Sequence, residues 1–132
     1  MVKAVDIKAA LAPLPVWHGR KPRGGEDERD SPYFAMLGAY RDGGIFAGSF
    51  DGNSEWERHR NGDEIVHILD GETEIEIVTE DGPQVLHMTA GMLVVVPRGC
   101  WHRFHAPRGV TLMTVTPQPT DHSTAEDPGA ED

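Results

Sequence analysis

The 132-residue chain holds one cysteine, Cys100. No internal disulfide can form, which fits a reducing compartment. Long apolar runs are also missing: nothing approaches the roughly 18 residues of a membrane-spanning helix. The N-terminus MVKAVDIKAALAPL sets Asp6 and Lys8 inside what would have to be the apolar part of a signal peptide. The expectation is a cytoplasmic protein with no membrane partner. Positive charge is scarce as well, with 12 Lys and Arg against 22 Asp and Glu and a formal charge of −10. No basic stripe exists to meet a phosphate backbone, which argues against nucleic acid and against anionic membranes.

About half of the excess acid lies at one end. Residues 117–132 contain Asp121, Glu126, Asp127, Glu131 and Asp132 and no Lys or Arg. Within TPQPTDHSTAEDPGAED no apolar side chain exceeds alanine in size, so this stretch is expected to be a flexible, solvated tail. At the other end, VDIKAALA (5–12) brings Val5, Ala9 and Ala12 to one face. Asp6 is available as an N-cap, and Pro13 stops the pattern. That predicts one short helix. The stretch from His18 to Pro32 mixes Gly, Pro and both signs of charge without period and reads as a loop, mobile or acting as a lid.

What is plentiful is glycine, 15 residues, with 10 prolines. From Tyr33 onward these punctuate short apolar runs: 33–40, 44–50, 63–69, 72–79, 84–88, 92–96, 101–105 and 110–116. Strands at such spacing predict a sandwich or barrel. In 72–79 the alternation is strict, with Thr73, Ile75 and Ile77 on one face and Glu72, Glu74 and Glu76 on the other. Met92–Val96 is apolar throughout and reads as a strand covered on both sides.

Of seven histidines, those that can converge matter. A strand through Trp56–His59 sends Glu57 and His59 to one face, because side chains alternate with period two. Asn61-Gly62-Asp63 then turns the chain, and Glu64 opens the next strand facing them. His102, just past the Pro97-Arg98-Gly99-Cys100 turn, can supply a fourth group. Imidazoles and carboxylates together suit Fe(II), Mn(II), Zn(II), Ni(II) or Co(II), with iron or manganese favoured, and exclude sites that need several thiolates. Glu57 is either the fourth ligand or a general base or acid beside a two-histidine, one-carboxylate face. Trp56 and Phe104 flank these residues as candidate walls of a substrate pocket, and Arg98 or Arg103 could activate Cys100. His18, His67, His87, His105 and His122 are assigned no role.

These residues carry a family resemblance. Gly91, Pro97, Gly99 and His102 match the second motif of a small single-domain cupin at every spacing, with Ala106 where the terminal Asn would stand. Glu57, His59, Glu64 and Gly71 follow the first motif, with Gly52 near its opening and Glu57 in place of the first histidine. The resemblance implies an all-β, double-stranded β-helix (jelly-roll) barrel over 33–116, preceded by a helix-and-loop segment, 1–32, and followed by the tail, 117–132. It also implies a homodimer and a site inside the barrel. The function expected is that of a metal-dependent enzyme acting on a small organic molecule, most simply a dioxygenase, less simply an isomerase or lyase. A non-catalytic small-molecule-binding cupin is the rival. A metal-free sugar isomerase or epimerase would need Tyr33 or Tyr40, which precede the motifs.

Overall fold

The computed structural model describes residues 1–23 and 31–131. Helix α1 (Ile7–Leu11) forms where the sequence places it, and the Asp6 carboxylate accepts from the Ala9 N–H at 3.1 Å as its N-cap. Among the described residues nine strands follow: β1 (Trp17–Arg20), β2 (Phe34–Tyr40), β3 (Gly43–Asn53), β4 (Trp56–His59), β5 (Glu64–Thr79), β6 (Gly82–Thr89), β7 (Leu93–Val96), β8 (His102–Pro117) and β9 (Thr120–Ser123). A short 3-10 helix, Pro128–Glu131, closes the described chain. Among the described residues no helix is long and apolar enough to cross a membrane.

Two long strands organise this jelly roll. β5 and β8 run antiparallel along most of their length, from the Ile65–Val115 pair to the Ile77–His102 pair. Each bends midway, so its halves join different layers. The first half of β5 and the last half of β8 lie with β7, β3 and β2, while the other halves lie with β6 and β4. The sequence pattern divides each of these strands in two. Instead Asp70-Gly71 and Pro107–Gly109 act as bends within continuous strands. Gly71 has φ +74°, and a Cβ there would collide with the Gly109 carbonyl where the strands cross.

The interior is filled by alternate residues of both layers, including Phe50, Val66, Ile68, Ile75, Ile77, Met88, Phe104, Val110 and Leu112. Glu72, Glu74 and Glu76 face outward as their alternation requires, while Thr73, Ile75 and Ile77 are buried. β7 corrects another expectation. Val96 is buried, but Leu93 and Val95 are exposed, because among the described residues β7 pairs with β5 alone and its outer face is left uncovered.

Both ends of the chain add strands that composition does not announce. Within the expected loop from His18 to Pro32, β1 instead lies parallel to the end of β3; residues 24–30 of that loop, with the mobile or lid role assigned to it, fall outside the described residues. The expected free tail is likewise corrected. β9 pairs with β4 over four residues, Trp56–Ser123 to His59–Thr120. The Asp121 carboxylate accepts from Arg58 at 3.1 Å and Arg60 at 2.6 Å, and His122 Nδ1 lies 2.6 Å from Glu55. Backbone pairing and ion pairs order a segment too polar to order itself by burial.

Candidate metal centre

β4 sends Glu57 and His59 inward, as period two requires, and Arg58 outward to Asp121. Glu64 opens β5 and His102 opens β8. The two motifs, distant in sequence, are clipped together by backbone. The Gly99 N–H donates to the His59 carbonyl at 2.9 Å, and the Arg98 N–H donates to the Asp63 carboxylate at 2.8 Å. Pro97 and Cys100 close the turn between them, with the Cys100 N–H donating to the Pro97 carbonyl at 3.1 Å.

His59, Glu64 and His102 meet in the barrel interior. One ligand atom from each lies within 4.8 Å of the others, and all three side chains are buried. His102 Nε2 is 3.0 Å from Glu64 Oε1, and His59 Nε2 is 3.2 Å from Glu64 Oε2. The outer ring nitrogens are pinned. His102 Nδ1 is 3.0 Å from the Cys100 carbonyl, which can only accept, so Nδ1 carries the hydrogen. His59 Nδ1 is 3.0 Å from the Thr120 hydroxyl, itself 3.4 Å from the Gln118 side-chain carbonyl; a relay from His59 through Thr120 to Gln118 puts that hydrogen on Nδ1 too. With Nδ1 holding a hydrogen on each ring, Nε2 is the atom that each turns toward a common point, and loss of any proton there leaves the lone pair that metal-binding histidines require. Glu64 Oε2 accepts from Thr116 at 2.6 Å, and Thr116 is backed by Thr114 at 2.7 Å.

The donor set fits a divalent ion. His59 Nε2 is fully buried and forms no well-aligned hydrogen bond despite its proximity to Glu64, so its lone pair has no protein partner of good geometry. Two imidazoles and a carboxylate form an intermediate-to-hard set with room for further ligands. The electrostatics agree. Burial works against the charge on Glu64, yet His102 and His59 beside it hold its carboxyl well below the usual range. Burial also works against a charged His102, but Glu64 beside it and the field of Glu57 push it up to about 9. Without metal the cluster retains a proton that a divalent ion would replace.

Glu57 is buried beside the trio, its Cα registered with that of His102. The close group of ligand atoms comprises His59, Glu64 and His102, whereas Glu57 Oε1 lies 3.7 Å from Nη2 of Arg20. Burial pushes the Glu57 carboxyl up to about 7, with Arg20 pulling the other way.

The two aromatic residues named from the sequence part company. Phe104 shares the inner face with His102, their ring centres 6.5 Å apart and edge-on. Trp56 has parity opposite to that of Glu57 and lies beneath the guanidinium of Arg103, 4.2 Å away, which pairs with the outward Glu76. Cys100 is not activated, since burial and the nearby Glu80 and Asp63 raise its thiol. Sequence reasoning missed Arg20, Thr116 and Thr120. Thr114 and Thr116, two threonines on the inward parity of an otherwise apolar strand end, are the one signal that could have exposed a polar site there.

The Cupin domain family model matches residues 50–116. No curated protein matches in sequence. Among solved structures, a cupin-2 domain protein from Shewanella frigidimarina is 24% identical, covering 64% of this chain and 79% of that one, with a TM-score of 0.53. Hydroquinone 1,2-dioxygenase from Sphingomonas sp. TTNP3, solved with 4-hydroxybenzoate bound, is 16% identical over 75% and 84%, TM-score 0.55. Oxalate decarboxylase from Bacillus subtilis, which has Mn(II) centres, is 13% identical, TM-score 0.54, covering 60% of this chain but only 23% of its own.

Proposed function

The chain belongs to the cupin domain family, and from that premise we propose that it is a metal-dependent enzyme acting on a small organic molecule, with dioxygenation as its reaction. The observation that carries this is the convergence of His59, Glu64 and His102, three buried ligands whose outer atoms are each pinned by a hydrogen bond. Fold alone does not carry it, since cupin neighbours include both a dioxygenase and a decarboxylase. These three residues would hold Fe(II) or Mn(II), which supplies Lewis acidity and redox chemistry when bound. Zn(II), Ni(II) or Co(II) would fit the same donors.

Around the ion the chain's own groups divide the work. Glu64 is held ionised by Thr116 and the imidazoles. Glu57, pushed up to about 7, is poised to take or give a proton at its carboxylate near neutral pH. That property favours a second reading, isomerisation or lyase chemistry, in which proton transfer by Glu57 is the essential step. The protein is read as cytoplasmic and as a homodimer; exposed Ile65, Leu93 and Val95, which share one outward face of β5 and β7, support self-association.

Elemental analysis of protein purified without an affinity tag tests the proposal, run beside His59→Ala and His102→Ala. Near-stoichiometric metal in the wild type, lost in both variants, is the expected result. Oxygen uptake with candidate substrates, abolished by chelator, then separates dioxygenation from proton-transfer chemistry. A wild type that holds no metal and takes up none of the five ions overturns the enzyme reading in favour of a binding module.

A further inference from the structure

Arg20 is the last residue of β1, and β1 lies parallel to the end of β3. Gly52 permits that approach: its φ is +106°, and a Cβ there would collide with the Arg20 carbonyl. The Arg20 side chain is 7% exposed. Its guanidinium carbon sits 4.6 Å from the ring centres of both Trp17 and Phe50 and 5.7 Å from that of Phe34. Aromatic clamping of a planar cation leaves its N–H edge as the reactive part.

Among the described residues that edge meets one acid, and at long range. The nearest acid, Glu57, is 3.7 Å away, beyond hydrogen-bond distance, and among the described residues the Arg20 side chain makes no hydrogen bond. A buried guanidinium that no hydrogen bond holds among the described residues is unfavourable, and an apolar side chain of similar volume would pack among these rings without that penalty. Among the described residues no side chain supplies a partner at hydrogen-bond distance. The charges say which sign. Arg20 is itself a cation that Glu57 meets only at 3.7 Å, so the partner its edge fits is an anion. The shape says which anion, because a guanidinium fork matches a carboxylate with two parallel N–H···O bonds.

We propose that Arg20 anchors the carboxylate of the substrate, making the ligand of this barrel a small monocarboxylate whose apolar body packs against the ring of Phe50 or Phe104. The inference rests on the metal-dependent reading above and assigns its substrate class.

Three acid–amide pairs test it: propionate with propionamide, benzoate with benzamide, and 4-hydroxybenzoate with 4-hydroxybenzamide. Each is titrated into the wild type, with binding followed by calorimetry and by tryptophan fluorescence, for which Trp17 against the guanidinium is a built-in reporter. At least one acid should bind saturably, and at least about tenfold more tightly than its amide. Arg20→Met should erase that preference, and Arg20→Lys, which keeps the charge but not the fork, should retain only part of it. Glu57→Gln, which removes the protein's own carboxylate from the anchor, should tighten the acid. If no acid outbinds its amide, or if the preference survives in folded Arg20→Met or is undiminished in Arg20→Lys, the proposal is overturned. Metal content measured on every sample separates the two readings: metal without acid preference removes the anchor alone, whereas acid preference without metal removes the metal centre and leaves the anchor standing.

Discussion

The two ends of the barrel interior are built from the same pair of strands and filled with opposite chemistry. Toward the bend, β5 and β8 supply Ile68, Ile75, Val110 and Leu112, all buried and apolar. Toward the mouth the same strands supply Glu64, His102, Thr114 and Thr116, equally buried and polar. Burial alone therefore does not distinguish core from site. At the bend each buried atom gains contact and loses water, which stabilises the fold by roughly 25 cal/mol per Å² of apolar area. At the mouth each buried charge is unfavourable unless paired, and what the arrangement gains is a preorganised donor set. One end holds the barrel together, and the other uses that rigidity.

Crossed substitutions would break the comparison most sharply. Glu64→Gln removes the central anion of the mouth and should lower metal affinity at least about 100-fold, abolishing stoichiometric metal in purified protein. Leu112→Ala opens a cavity at the bend and should lower unfolding free energy by about 2 to 5 kcal/mol, measured by denaturant titration, with metal stoichiometry unchanged. Loss of metal from folded Leu112→Ala would show that the two ends are not separable.

The pH dependence of stability sharpens the same contrast, because only the mouth titrates. His102 in the folded metal-free protein is raised from 6.5 to about 9. Its contribution is complete below pH 6.5 and is lost as pH rises through about 9, on the order of 3 kcal/mol for an interaction shared with Glu64 and counted once. Glu57, raised from 4.5 to about 7, acts in the same sense: folding favours its protonated form, and that advantage fades as pH rises through 7. Glu64, held below its usual range, contributes above about pH 4.5 and loses its contribution only in strong acid. Chelated protein should therefore lose thermal stability between about pH 5 and 9. In metal-loaded protein the ion takes the place of the proton, so the difference in Tm between the two forms should widen over that window. A gap independent of pH would mean that His102 does not exchange a proton for the ion.

How far each end was legible follows from where its signal lies. The barrel class, the N-terminal helix, the outward Glu72, Glu74 and Glu76 and the residues His59, Glu64 and His102 were all readable, because turn glycines, period-two alternation and motif spacing are local patterns. The continuity of β5 and β8 was not. A glycine that bends a strand looks the same in sequence as one that reverses it, and only the pairing across Gly71 and Gly109 decides. Arg20 and Thr120 were hidden for a different reason. β1 and β9 are four residues long, lie at the edges and are held by backbone pairing with β3 and β4, which leaves no mark on side-chain composition. Weak composition at the chain ends described how those segments would behave alone rather than what they do beside a sheet edge.

Thr120 carries the smallest expected effect and the most specific one. Its hydroxyl lies 3.0 Å from Nδ1 of His59 and links the acidic C-terminal segment to the candidate metal centre. Thr120→Val keeps volume and β-branching, so β9 should stay paired with β4, while the hydroxyl that fixes the imidazole is gone. Loss of such a partner typically lowers metal affinity by about 10- to 100-fold, and the lower end applies here because the β4–β9 backbone pairing and the barrel wall still constrain His59. Thr120→Ser should restore most of the affinity. A purely structural role for the segment predicts otherwise: both variants would shift Tm together, and neither would change metal affinity measured against a competing chelator at a temperature where each is folded. Asp121→Asn supplies the contrast within the same strand. It weakens the pairing with Arg58 and Arg60 on the outer face, so it should lower stability by no more than about 1 kcal/mol and leave the metal in place.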